Sequence, residues 1–507
     1  MTYRAGTVKG TAKARDRESR LLIISNRLPV VLHKLKSGRW NAVPGSGGLV
    51  TALAPVLRDR GGLWIGWPGI AERSASQLDR ILARFNRNAG FTLKAVPLSE
   101  EEREKYYCGF SNEISWPLFH DFAAICNFDP SYWSSYETVN RKFAKVITDY
   151  LGKNDYIWVH DYHLMNVAKE LRQLGIKQEI GFFLHIPFPP LDTFIRLPWR
   201  FQLLRSLLEY DLIGFHTLRD RRNFVHCVRT LVKGVHTKGK GQVVAVKFDN
   251  RHLRAGAFPI SIDFNEFADL ARSKEVVHRA RRIQEQLPGS QILLGVDRLD
   301  YTKGIIERLQ AFRNALLRYP DLRQKVVFVQ VVVPSRGDIT KYHELKIEIE
   351  RLVGEINGQF TDSGWVPIHY LFRSLDRAEL VAYYRMAEMA ILTPFKDGMN
   401  LIAKEYCASS LDENAALILS EFAGAAAQLQ KGALLVNPHD TEGVADAIYQ
   451  AFNMTRDERR KRMKKLRETI KKRDIYWWVD SFLQAGIHKG LHHFPVIEDY
   501  VPQLEIT

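Results

Sequence analysis

The sequence predicts an α/β protein made of two Rossmann-like, doubly wound domains facing a central cleft. Three observations lead there. Short apolar, β-branched runs recur along the chain with helical patterns between them, an alternation that gives mainly parallel sheets. The runs are too many for one comfortable sheet. Polar clusters follow several of them, at the carboxyl ends of strands, where open α/β sheets bind ligands.

Taken in order, residues 1–20 carry no hydrophobic region and read as a flexible, mildly basic tail, not a secretory signal. LLIIS from Leu21 is a buried parallel strand ending at the polar turn Asn26-Arg27. The Gly-rich turn Pro44-Gly45-Ser46-Gly47-Gly48 precedes an apolar helix from Leu49. Further strands are read at 156–159, 180–184, 212–215, 291–296, 325–333, 389–393, 416–420 and 433–436. A break falls between Phe248 and Asp263, where DNRHLRAGAFPISID reads as turn residues. The division is therefore 1–20 (tail), 21–255 (first domain), 256–480 (second domain) and 481–507, a segment returning to the first domain.

The chain has 507 residues, 46% hydrophobic and 26% charged, so a large core can form and a disordered or fibrous chain is excluded. Its net charge of +16 favours anionic partners without naming them. Part of the excess sits in the helical stretch Arg456–Arg473, with eleven Lys/Arg against three Asp/Glu. That stretch shows neither interleaved aromatics nor an apolar stripe, so it reads as a solvated face and not an RNA or membrane patch. Cys108, Cys126, Cys227 and Cys407 form no CxxC pair and have no clustered His, which fits a reducing, cytoplasmic setting without a zinc site or disulfide framework. No apolar run approaches the roughly 18 residues of a membrane span.

The most informative cluster is Pro394–Glu405 (PFKDGMNLIAKE), which follows a strand and opens a helix. A helix N-terminus suits phosphate, and Gly398 lets the backbone approach a ligand closely. Asp397 and Glu405 stand eight residues apart, roughly 12 Å if helical, which matches a sugar nucleotide from hexose to ribose hydroxyls. The alternative is a solvated Asp and a structural Glu. In the second cluster, GVDRLDYTKG, Arg298 and Lys303 could converge on one diphosphate and neutralise a leaving nucleoside diphosphate, or be ordinary basic residues of a surface loop. His160-Asp161-Tyr162-His163 could suggest a metal site, but adjacent side chains splay apart, so Asp161 as an acceptor for sugar hydroxyls is favoured. His185, after a buried strand, is either a core histidine or a site residue. Arg27 and Arg336 are candidates for a second anion. Tyr107 and Trp116 could face a sugar ring, although packing is the commoner role of Trp. Gly47-Gly48 is weak evidence for a phosphate cradle, and no GxGxxG, Walker, GxSxG or HExxH pattern supports a dinucleotide enzyme, an ATPase, a serine hydrolase or a zincin.

Together the segments SNRLPV, PGSGGLV, WIGWPG, FSNEISWPLFH, WVHDYHLM, IGFFLHIPFP, DLIGFHT, VDRLDYTKG, VVPSRGD and TPFKDGMNLIAKEY, in that order, resemble the trehalose-6-phosphate synthase family, retaining GT-B glycosyltransferases of family 20. The resemblance spans about Leu21 to Trp478. It implies transfer of glucose from a nucleoside-diphosphate glucose, usually UDP-glucose, to glucose 6-phosphate, with no cofactor and no metal. It implies that Arg298 and Lys303 grip the diphosphate and that Glu405 takes the ribose hydroxyls. Asp397, Gly398, Met399, Asn400 and Leu401 would meet the glucose hydroxyls and diphosphate, with Gly47 and Gly48 facing them and His185 beside the glucose. The catalytic set is thus Arg298, Lys303, His185 and Asp397. Arg27, Arg336 and Tyr107 would hold the acceptor phosphate, and Asp161 and Trp116 its ring. Leu375 stands where relatives carry an aromatic near the base, which leaves base preference open. The expected partners are the two substrates, without nucleic acid or membrane, in a chain that acts alone or as a homo-oligomer (dimer or tetramer). A same-fold transferase with another phosphorylated acceptor, such as glycerol 3-phosphate or a cyclitol phosphate, and a non-catalytic sugar-phosphate sensor are the competing readings.

Overall fold

The computed structural model describes residues 20–34, 40–45, 48–70, 75–239, 241–287, 289–335, 340–487 and 497–502. Gly47, Arg336 and the basic tail before Arg20 lie outside the described residues. The strands are β1 (Leu21–Arg27), β2 (Val30–Lys34), β3 (Trp40–Pro44), β4 (Gly62–Trp67), β5 (Thr92–Ala95), β6 (Tyr156–His160), β7 (Ile180–Phe183), β8 (Leu212–Phe215), β9 (His236–Lys238), β10 (Val243–Phe248), β11 (Arg251–Ala257), β12 (Gln291–Arg298), β13 (Val326–Val333), β14 (Ile368–Phe372), β15 (Met389–Leu392), β16 (Ala416–Ser420) and β17 (Leu434–Val436).

They form two large sheets and one hairpin. The first sheet runs β5-β4-β1-β6-β7-β8-β11-β10-β9, and the second β14-β13-β12-β15-β16-β17. The second is parallel throughout, and the first is parallel except where β10 runs against β11 and β9. β6, β7, β8, β15 and β16 are buried along their whole length, because helices cover both faces of a parallel sheet. In each sheet the winding reverses beside the first parallel strand, between β1 and β6 and between β12 and β15. The carboxyl ends at those reversals open a crevice, and two such crevices set the site.

Two readings of the sequence need correction. Residues 251–257, read as turn, are β11, which pairs with β8 in parallel and closes the first sheet before the chain crosses over. The basic helix Arg456–Lys472 does carry an apolar stripe: Met463, Leu466 and Ile470 are buried in the hydrophobic core, while Lys461, Lys464 and Lys465 face water. The stripe escapes notice because its three members are outnumbered by cations.

The helix Ile475–Ile487 recrosses to the first lobe. Ile475 N donates to Ile262 O at 3.0 Å, tying the return crossing to the outward one. Phe482 then stacks on Trp158 (4.4 Å, 6°), and Trp478 lies 5.2 Å from the same ring. Gly214 makes room for this, since a Cβ there would stand 2.7 Å from the Phe482 ring. Among the described residues, no helix is long and apolar enough to cross a membrane.

Candidate active site

On the second lobe, β12 delivers Arg298 to the cleft as an exposed cation. The chain then makes the 3₁₀ turn Tyr301–Lys303, held by Asp300, whose Oδ1 accepts from Thr302 N (3.0 Å) and Thr302 Oγ1 (2.9 Å). Beneath it lies the buried guanidinium of Arg308. It is paired with Asp297 and donates to Thr393 Oγ1 (2.9 Å) and to the Lys303 carbonyl (3.0 Å). One side chain thus fixes the ends of both strands at the reversal point.

Lys303 Nζ meets Asp397 Oδ2 at 2.7 Å, and Asn400 Nδ2 donates to the same oxygen at 3.3 Å. Burial alone would raise the Asp397 carboxyl. The charge and hydrogen bond of Lys303, helped by His120 and Arg298, bring it below its ordinary value, so it stays ionised. Asn400 has a left-handed backbone (φ 78°), and its Oδ1 accepts from Ala403 N (3.1 Å), capping the helix Leu401–Ser409. Asp397 therefore lies outside the helix, and the helical spacing assumed between Asp397 and Glu405 does not apply. Met399 is buried and Leu401 half-buried. Glu405 is half-buried and accepts from Tyr384 Oη (2.9 Å), and burial raises its carboxyl. Leu375, half-buried, packs on the hydrophobic core just after β14.

On the first lobe, Arg27 at the end of β1 is exposed and its guanidinium lies 4.5 Å over Trp67. Tyr107, on the π-helical segment Arg103–Ser115, sits between Trp67 (5.8 Å) and His163 (5.9 Å, stacked). Trp116 is buried, with His120 at 4.2 Å and the Arg298 guanidinium at 5.6 Å over its ring. Asp161, after β6, holds a left-handed backbone (φ 74°), unusual outside glycine and typical of functional turns. Its Oδ1 accepts from His185 N at 3.2 Å. His185 is half-buried at the end of β7, with Nε2 3.1 Å from His160 Nδ1. Burial pushes its imidazole down to about 3, so it is neutral. Gly48 opens the helix Gly48–Arg60.

The lobes meet at the loop 394–400. A Cβ on Gly398 would overlap the His185 carbonyl oxygen and stand 3.2 Å from His216 Cδ2, so only glycine fits. Lys396 Nζ pairs with Asp121 Oδ2 across the cleft at 2.5 Å. Phe122 contacts Tyr301 (5.2 Å) and Phe395 (6.1 Å), and Lys341 Nζ donates to Ile125 O (3.0 Å). The structure thus brings Arg298, Lys303, Asp397, Gly398, Trp116, Asp161 and His185 to one crevice, with Glu405 one helix turn along from its cap.

Sequence reasoning missed His120, the Asp121–Lys396 pair and Arg308. His120 Nδ1 lies 2.7 Å from Trp116 O, and burial lowers its imidazole to about 4. Position inside FSNEISWPLFH was the only signal for it. Among the described residues, no group of three or more His, Cys, Asp or Glu is placed to share a metal ion.

Two facing doubly wound lobes with cations and a helix start at the mouth of the cleft define a nucleotide-sugar transferase architecture, GT-B. Residues 19–486 match glycosyltransferase family 20, and the chain belongs to that family. It is 41% identical to the trehalose-6-phosphate synthase of Mycobacterium avium over 492 residues, 96% of this chain and 99% of that one. It superposes, at TM-score 0.82 and 34% identity, on an α,α-trehalose-phosphate synthase (UDP-forming) from Burkholderia xenovorans in complex with glucose-6-phosphate, covering 92% of this chain and 99% of that one. TM-score and identity are the same for trehalose-6-phosphate synthase from E. coli bound with UDP-2-fluoro glucose, with 92% and 98% covered.

Proposed function

We propose that the protein transfers glucose from UDP-glucose to glucose 6-phosphate, forming α,α-trehalose 6-phosphate and UDP. The observation that carries this reading is the meeting of two strand-end crevices. Arg298 and Lys303 flank Asp397 at one, His185 and Asp161 end the other, and the Gly398 backbone lies against the His185 carbonyl where they meet.

On this reading Arg298 and Lys303 take the diphosphate, and Glu405 the ribose. Asp397, with the loop to Leu401, takes the glucose hydroxyls. Arg27, Tyr107 and Arg336 take the acceptor phosphate, and Asp161 and Trp116 its ring. Lys303 and Asp397 form a neutral pair without substrate; an arriving diphosphate recruits the cation, and Asp397 is released toward hydroxyls. Asp397, still held by Asn400, then orients hydroxyls and forms no bond to the sugar. Retention then follows a front-face course. The C1–O bond to the phosphate breaks, the acceptor oxygen bonds to C1 on the same face, and its proton passes to the departing phosphate oxygen. The protein supplies orientation and positive charge for that departure. The latch of Asp121, Phe122 and Lys396 keeps the lobes together and water out.

A donor–acceptor matrix tests the reading: UDP-, ADP- and GDP-glucose against glucose 6-phosphate and glycerol 3-phosphate, with product identified by mass and linkage. The expected product is α,α-trehalose 6-phosphate with one UDP released per transfer. Efficient transfer to glycerol 3-phosphate and none to glucose 6-phosphate would reject it.

A further inference from the structure

We infer that His160 fixes the tautomer of His185, so that His185 meets the donor sugar through Nδ1–H, as a hydrogen-bond donor. The inference rests on the reading above only in placing that sugar beside His185.

His160 Nδ1 and His185 Nε2 stand 3.1 Å apart, so one proton lies between them. Both imidazoles are neutral, because burial holds each below its ordinary value. Two arrangements are open. Either His160 donates through Nδ1–H and its Nε2 is a bare acceptor, or His185 donates through Nε2–H and His160 carries its own proton on Nε2.

The far side of His160 chooses. Its Nε2 is buried and has no hydrogen-bond partner among the described residues. The rings around it are Trp158 (4.7 Å) and Trp478 (6.5 Å). Their indole N–H groups are likewise buried without a partner among the described residues, and an indole can only donate. A proton on His160 Nε2 would add a third donor where nothing accepts. A bare Nε2 instead sets one acceptor among two donors. Of the two unmet groups, a bare nitrogen beside two rings that offer only donors is the less costly, because a further N–H finds nothing there to donate to.

His185 Nε2 therefore accepts, and its own proton sits on Nδ1. With Nε2 turned inward, Nδ1 is the only ring nitrogen His185 has for a ligand. A sugar hydroxyl set against it must accept, and its own hydrogen must point elsewhere. A histidine in this state has no free lone pair toward the cleft, so it cannot take the proton of the acceptor hydroxyl. That agrees with transfer of the proton to the departing phosphate. His160 acts through His185 and is a positioning residue. Trp478 brings the C-terminal helix into the same support, 6.1 Å from His185.

The test uses the full chain labelled with ¹⁵N-histidine, with ring protonation read from two-bond ¹H–¹⁵N spectra and His185 assigned from its loss in His185→Asn. The expected result is a protonated Nδ1 and a bare Nε2 in the wild type. His160→Leu should give mixed His185 tautomers and lower kcat on the order of tenfold with little change in KM for glucose 6-phosphate. His160→Asn, whose amide can donate from near the Nδ1 position, should restore both. A wild-type His185 protonated on Nε2, or a His160→Leu protein with unchanged spectrum and turnover, would overturn the inference. The wild-type spectrum decides even if His160→Leu does not fold. The expected tautomer in a protein that transfers from no donor would leave the inference standing and refute the transferase reading.

Discussion

Gly398→Ala is the sharpest perturbation of the cleft. The backbone of Gly398 is not left-handed, so alanine suits the chain itself. The added methyl nevertheless overlaps the His185 carbonyl oxygen, and it lies 3.1 Å from that carbonyl's carbon and 3.2 Å from His216 Cδ2. These neighbours are backbone and a buried ring, neither free to swing away. Relief requires loop and first lobe to part by about 1 Å, and a misplacement of that size costs on the order of 100-fold in rate, or about 2.7 kcal/mol of activation free energy. The crowding lies between lobes and is relieved by opening them, so the thermal midpoint should shift little. The assay is initial-rate UDP release with both substrates varied, beside thermal unfolding. Turnover within about threefold of wild type would show that the lobes need not meet at Gly398, and the closed-cleft argument would fall.

Other outcomes follow from the same geometry. Arg298→Ala should cut turnover by orders of magnitude and leave the fold intact, since the side chain is exposed; UDP release and circular dichroism check both. Lys303→Met should also lose stability, by about 1–3 kcal/mol, because it leaves the half-buried Asp397 without its cation, and adding Asp397→Asn should recover much of that in a denaturant titration. Buried Lys404 donates to Ile260 O and Gln428 Oε1 (both 2.7 Å), and burial lowers it from 10.5 to about 7. The unfolded chain then binds more protons than the native one between those values, so this group makes stability rise with pH from about 7 to 10.5. The difference between wild type and Lys404→Met in urea across that window should show the rise, and a flat difference would refute it. Gly354→Ala, exposed within the helix Thr340–Phe360 with open space around the new methyl, should stabilise by roughly 0.5–1 kcal/mol.

Much of the fold was legible because central parallel strands, covered on both sides, need apolar side chains at every position. LLIIS, YIWV, LIGF and ALILS betray themselves for that reason. β9 (HTK) and β14 (IHYLF) do not, because each lies at a sheet edge with most residues only partly buried or exposed. The polar clusters after strands were readable as a candidate site from the carboxyl-end rule. Their partnerships were not. Lys303 and Asp397 are 94 residues apart, Asp121 and Lys396 are 275 apart, and neither pair leaves a local pattern. The His160–His185 contact joins neighbouring strands, but which nitrogens meet depends on ring orientation, which spacing does not encode.

The return of residues 475–487 to the first lobe has a consequence for biosynthesis. Phe482 and Trp478 cover Trp158, Phe183 and Gly214, so that aromatic patch of the first sheet stays bare while the whole second lobe is being translated. A nascent chain emerging from the ribosome must keep that aromatic surface from aggregating for some two hundred residues, a task suited to a holding chaperone.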